Sequence, residues 1–229
     1  MIKPLLGIIG GMGAQATACF YEKLHKLQNV SCEQDYLNIL LYSIPSVPDR
    51  TAFITGQSSE SPLDALISAA RLLESAGVSC IAIPCVTSHY FYNDISNAVD
   101  VPVINLPDEI ADSAIERNVR SACILATDGT IKSKILHSAF EKRAIIVSNP
   151  ADNVQSNLME LIYDIKCGAE ISSETLDQIT KQALEDGADV VLHSCTELCI
   201  YAKESLRVIN ALDVLAEAAI KKLSEGRFS

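Results

Sequence analysis

The 229-residue sequence has no apolar run approaching the length of a membrane span, because its hydrophobic stretches are broken by polar residues within a strand's length. It also lacks positive charge. Eighteen Lys and Arg face 29 Asp and Glu, for a formal net charge of −11. Neither nucleic acid nor an anionic membrane surface is an expected partner of such a chain. Met1-Ile2-Lys3-Pro4 passes directly into a short strand-like run, without the longer apolar stretch and small-residue cleavage site of a signal peptide, so the expected location is cytoplasmic. There is no low-complexity segment, no obvious linker and no C-x-x-C knuckle. Eight cysteines without a secretory signal are expected to be free thiols. Cys80 and Cys123, inside apolar runs, read as small core hydrophobes.

What is present is the balance of a globular protein, 48% hydrophobic and 21% charged, with length for one large domain or two small α/β lobes. Strands alternate with helices, which implies parallel sheets covered on both faces. A strand over Leu5–Ile9 ends in Gly10-Gly11-Met12-Gly13, and a helix begins near Ala14. A second strand, Leu37–Ser43, empties into a proline-punctuated loop running to Thr51. Ser61 and Pro62 then open a helix whose apolar face is Leu63, Leu66, Ile67, Ala70 and Leu73; Gly77 closes it. A buried strand, Val78–Ile83, runs into Pro84-Cys85.

The second half repeats this plan. Ser172 or Ser173 caps a helix through Thr175–Glu185, Gly187 stops it, and a strand over Asp189–Leu192 leads to Ser194-Cys195. Each cysteine follows its helix-ending glycine by eight residues and precedes a threonine within two positions. The segment from Gly7 to Gly13 has a rough counterpart from Cys123 to Gly129. The reading is an α/β fold of two pseudo-symmetric lobes, each a mostly parallel sheet flanked by helices, with the site in the cleft between them. The lobes are expected as residues 1–109 with 209–229, and residues 110–208; an amphipathic final helix, Ala211–Leu223, crosses back to the first.

In open parallel sheets, ligands bind beyond the carboxyl ends of the strands. Cys85 and Cys195 both stand at such ends, one per lobe, so facing lobes would bring two sulfurs to a ligand from opposite sides. That arrangement suits inversion at a carbon bearing hydrogen. One thiolate removes the proton while the opposing thiol delivers another. A thiol, with a reference pKa of about 8.5, can serve as base in one direction and acid in the other.

Five segments, taken in order and spacing, resemble the aspartate/glutamate racemase family over essentially the whole chain. They are Gly10-Gly11-Met12-Gly13, Pro48-Asp49-Arg50-Thr51, Pro84-Cys85-Val86-Thr87-Ser88-His89, Ala126-Thr127-Asp128-Gly129-Thr130-Ile131 and Cys195-Thr196-Glu197-Leu198. The resemblance implies an isomerase that is a homodimer and uses neither pyridoxal phosphate nor a metal. It implies Cys85 and Cys195 as the catalytic thiols. Arg50, with Lys166, would grip the substrate's side-chain carboxylate, as a planar guanidinium fork does. Thr87 and Thr196 would serve the α-carboxylate, flanked by Thr127 and Thr130, with Met12 also at the substrate. Glu197 would position or relay the Cys195 proton. Three positions depart from the family pattern: Val86 replaces the usual Asn, Ser194 (after His193) the usual Gly, and Ala14 the usual Pro.

Other readings stand beside this one. Arg50 could be a solvated loop charge, and Lys166 and Glu197 could answer helix dipoles alone. Gly11-Met12-Gly13-Ala14-Gln15-Ala16 with Glu33 fits a dinucleotide-binding pattern, but that leaves the cysteine motifs unexplained. Cys85, His89, His193, Cys195 and Cys199 include enough ligand types for zinc, though far apart in sequence. The leading expectation is cofactor-independent racemisation of an acidic amino acid, aspartate before glutamate. The alternatives are a related cysteine-dependent racemase or isomerase, of hydantoin racemase or maleate isomerase type, and a catalytically weak protein that binds an acidic metabolite.

Overall fold

The apolar run Leu5–Gly10 forms β1, buried except at its first residue, as the centre of a parallel sheet requires. In this computed structural model, which describes residues 3–203 and 205–225, β2 (Asn38–Ser43) and β3 (Cys80–Ala82) flank it in the order β2-β1-β3. The register sets Leu5 against Asn38 and Leu6 against Cys80. The second sheet, also parallel, has the order β5-β4-β6-β7, from β4 (Ser121–Leu125), β5 (Ile146–Ser148), β6 (Val190–His193) and β7 (Val208–Asn210). An isolated parallel bridge between Ile81 and Val103 occupies the place beside β3 that β7 fills beside β6. Two sheets of one plan result, each with a cysteine just past its third strand in chain order.

The helices follow their sequence signals. Helix α1 (Ala14–Leu27) leaves the glycine turn after β1. Helix α2 (Arg50–Thr55) begins inside the segment read as loop, because the Asp49 carboxylate accepts the Ala52 N–H at 2.8 Å and caps it. Helix α3 (Leu63–Ser75) buries Leu66, Ala69, Ala70 and Leu73, and the Ser61 hydroxyl accepts the Leu63 N–H at 3.2 Å. Helices α4 (Tyr92–Asn97) and α5 (Leu106–Glu116) precede β4. Helices α6 (Asp128–Ser133), α7 (Ile135–Glu141) and α8 (Asp152–Lys166) build the second lobe. Of the two serines expected at α9 (Ser173–Glu185), Ser172 caps it. Gly77 and Gly187, just past α3 and α9, take φ of +81° and +105°, the left-handed turn that lets each chain reverse into a strand. Helix α10 (Thr196–Tyr201) starts directly after Cys195.

Several strand and helix bounds differ from the sequence reading by a residue or two. The strand expected over Val78–Ile83 pairs only over Cys80–Ala82, although Val78 and Ile83 are buried too; packing rather than the ladder holds its ends. The expected lobe divisions, between 109 and 110 and between 208 and 209, fall inside α5 and β7, both continuous elements. Residues 1, 2, 204 and 226–229 of those ranges lie outside the described residues.

The last helix, α11 (Ala211–Glu225), does cross back, lying against α1, α5 and β3. Through it a single apolar layer joins the sheets, taking Leu6 and Ile8 from one, Ile124 and Leu192 from the other, and Leu212 and Leu215 from α11. Each fully buried leucine contributes about 1.5–3 kcal/mol relative to exposure, so this layer holds the two sheets in one relation. Two further clusters fill the outer faces. No described helix is long and apolar enough to cross a membrane.

Candidate active site

The cleft between the strand ends holds a narrow pocket. Cys85 and Cys195 both line it, with Met12, Arg50, Thr87, Thr127, Lys166, Thr196 and Glu197. All the residues singled out in the sequence meet here except Thr130, which stands behind the wall. Its hydroxyl lies 2.9 Å from that of Thr87 and 3.2 Å from that of Thr127, and Thr87 and Thr127 are 3.0 Å apart. This buried triangle of hydroxyls fixes Thr87 from the other lobe. Thr51, Val86 and Ser194 line the pocket as well.

The two sulfurs have different neighbours. Cys195 donates its S–H to Glu197 Oε2 at 2.9 Å, and the Thr196 hydroxyl donates to the same oxygen at 3.3 Å. Glu197 Oε1 accepts the Gly13 N–H at 3.0 Å, which brings the turn after β1 onto the second lobe's site. Among the described residues the Cys85 sulfur has no such partner. The backbone carbonyl of Cys85 lies 2.9 Å from His89 Nδ1, and His89 Nε2 lies 3.2 Å from the Ile104 carbonyl.

Arg50 is 8% exposed, yet its guanidinium donates only to the carbonyls of Val47 and Pro48, at 3.1 and 3.0 Å; its Nε is buried without a partner. Among the described residues no carboxylate lies within 4 Å of Arg50 or Lys166. Lys166, half-buried at the end of α8, has its ammonium 5.0 Å from the centre of the Tyr163 ring. Tyr163 in turn donates its hydroxyl to Asp49 Oδ2 at 3.2 Å, across the lobes. Tyr163 was legible only as one helical turn before Lys166, a spacing that places both on one face.

Burial and the Glu197 charge hold the Cys195 thiol well above its ordinary pKa, against the pull of Lys166 and the Glu197 N–H. Burial works against charge on Lys166, but the nearby sulfur of Cys195, the Glu197 carboxylate and the Cys85 sulfur outweigh it and raise its pKa. The site therefore favours the protonated form of the Cys195 thiol, and any thiolate formed there favours the charged form of Lys166.

The rival readings find little here. The candidate zinc ligands do not converge: both His89 ring nitrogens face carbonyls, His193 Nε2 meets the Thr180 hydroxyl at 2.9 Å, and Cys199 donates to the His193 carbonyl. Among the described residues no three His, Cys, Asp or Glu side chains are grouped to hold a metal ion. Glu33, the acid of the dinucleotide pattern, is exposed on a short 3-10 turn.

Known proteins share this fold. A 230-residue alignment, covering 94% of this chain and 96% of its relative, is 28% identical to the broad specificity amino-acid racemase RacX of Bacillus subtilis (strain 168). Among solved structures, Picrophilus torridus aspartate racemase superposes with a TM-score of 0.87 at 27% identity, over 96% of this chain and 94% of that one. An aspartate racemase homologue from Pyrococcus horikoshii OT3, PH1733, gives 0.77 at 27% identity, over 97% and 100%. The Asp/Glu/hydantoin racemase profile matches residues 9–219, and on that match, with the fold and the paired cysteines already in place, the chain belongs to the Asp/Glu/hydantoin racemase family of isomerases.

Proposed function

We propose that this chain racemises an acidic amino acid, aspartate first and glutamate second, by proton transfer between Cys85 and Cys195 without an organic cofactor. The observation that carries the reading is Arg50: a buried guanidinium with no carboxylate within 4 Å among the described residues and its Nε unpartnered, on the same pocket as both cysteines. Burying a charge that no close carboxylate neutralises is costly, and a substrate carboxylate relieves that cost. Arg50 and Lys166 together suit a side-chain carboxylate, which favours a dicarboxylic amino acid over a hydantoin. In the transfer, one sulfur as thiolate takes the Cα proton and becomes a thiol. The opposite thiol gives its proton to the other face of Cα and becomes a thiolate, so the pair ends with its roles exchanged. In the resting site Cys195 is the proton donor, and Glu197, which accepts its S–H, positions that proton. The Lys166 charge and the loop N–H groups around the α-carboxylate stabilise the carbanion between the two steps.

The same reading carries a cytoplasmic homodimer, and two lobes over residues 1–109 with 209–229 and residues 110–208. Val86 favours a second, broader range, because it sets an apolar side chain in a mostly polar wall.

The test is incubation with L-aspartate in deuterated water, without added cofactor. The expected outcome is D-aspartate with one deuterium at Cα. Neither product would reject the reading for aspartate, and saturable binding without exchange would leave a binding protein instead. Cys85→Ala and Cys195→Ala should each abolish inversion; a fully active single variant would break the two-base scheme.

A further inference from the structure

Ser194 carries a feature that neither fold nor proton transfer accounts for. It is 1% exposed, lines the pocket directly before Cys195, and its hydroxyl is buried with no hydrogen-bond partner among the described residues. Its backbone N–H joins the sheet by donating to the Leu125 carbonyl at 2.9 Å, and the hydroxyl takes no part in that bond. A buried hydroxyl without a partner costs stability. Glycine or alanine would avoid that cost.

Building on the racemase reading, we propose that the Ser194 hydroxyl accepts a hydrogen bond from the substrate's α-ammonium, and so restricts the site to α-amino acids. The argument counts acceptors. A dicarboxylic amino acid brings two carboxylates and one ammonium. Arg50 and Lys166 stand ready for one carboxylate, and the loops after the two cysteines for the other. The ammonium needs an oxygen. Glu197 already accepts from Cys195, Thr196 and Gly13. The Thr87 and Thr127 hydroxyls are tied to each other and to Thr130. Thr196 donates its hydroxyl to Glu197, which holds that oxygen against the carboxylate. Thr51 sits next to Arg50, at the carboxylate end. Ser194 differs from all of these: its buried hydroxyl has no partner among the described residues, so both lone pairs are unmet. It adjoins the cysteine whose sulfur must reach Cα, and the amino nitrogen is bonded to that carbon.

The experiment compares wild type with Ser194→Ala and Ser194→Gly, using L-aspartate as substrate and succinate as competitive inhibitor. Succinate keeps both carboxylates and lacks the ammonium. Loss of one charge-assisted hydrogen bond should raise the KM for aspartate about 10- to 100-fold. The succinate inhibition constant should stay unchanged, and the variants should melt no lower than wild type. Aspartate and succinate weakening together, or an unchanged KM for aspartate, would overturn the assignment. A wild type that neither exchanges nor binds aspartate would bring down the racemase reading first, and that failure shows before any variant is made.

Discussion

Glu197 shows how much chemistry one side chain can gather. It is 3% exposed and receives three donors: a thiol, a hydroxyl and a backbone N–H from the far end of the chain. Glu197→Gln keeps the shape but replaces one acceptor oxygen with a donor, so either the Cys195 S–H or the Gly13 N–H loses its partner. It also removes the negative charge that helps hold the Cys195 pKa up. The expected result is a fall in kcat of roughly 100-fold or more, in the range general acid–base groups supply, with little change in KM. Because Cys195 must be protonated to donate, lowering its pKa moves the alkaline limb of the rate profile to lower pH. A kcat within about threefold of wild type, measured by Cα exchange across pH, would assign Glu197 a packing role only. The Glu197–Gly13 contact could not be read from sequence, since the two residues are 184 positions apart and neither signals the other.

At the scale of elements, the site depends on α2 and α6 meeting across the lobes. A Cβ on Gly129, in the first turn of α6, would lie 2.8 Å from the Thr51 Cα, a backbone atom that no rotamer change can move. Gly129→Ala should therefore push α2, and Arg50 with it, away from the pocket. The expected signature is a KM for aspartate raised about tenfold, with roughly 1–3 kcal/mol of lost stability from overpacking. An unchanged KM with lowered stability would mean that Arg50 does not depend on this contact. Lys132 on α6 and Tyr163 on α8 reinforce the junction through the Thr55 carbonyl and the Asp49 carboxylate. The repeated phrase of helix, glycine, strand and cysteine was legible because each part is local: caps, periodicity and a left-handed glycine. The start of α2 was not, since it rests on one Asp49 hydrogen bond within a proline-punctuated loop. Nor was the place of Thr130 behind Thr127, because two threonines three residues apart give no hint which one faces the pocket. The orphan hydroxyl of Ser194 depends on what every neighbouring segment fails to offer, and no sequence pattern records an absence of that kind.

For the molecule as a whole, the buried titratable groups set a stability optimum between two limits. His193 ends β6, the strand between β4 and β7, and burial depresses its pKa to about 4, against a small opposing pull from Asp177. Its Nε2 meets Thr180 and its Nδ1 has no partner, so a proton added there would find no acceptor. The unfolded chain takes up that proton near the ordinary histidine value of about 6.5. Stability is therefore complete above that value and falls as pH drops towards 4, by at most roughly 3 kcal/mol from this residue. His89 and His137, also lowered mainly by burial, add to the loss with the same sign. On the alkaline side Cys195 is raised, while burial pushes Cys80 to about 11 and Cys199 to about 12; unfolding lets these thiols ionise sooner, so stability declines again as pH rises beyond their ordinary range. Urea unfolding of wild type and His193→Gln at pH 7.5 and pH 5 separates the contributions. The variant should lose less between the two values, because glutamine has nothing to protonate. If both lose the same amount, the acid sensitivity belongs to the other histidines and the end of β6 plays no part in it.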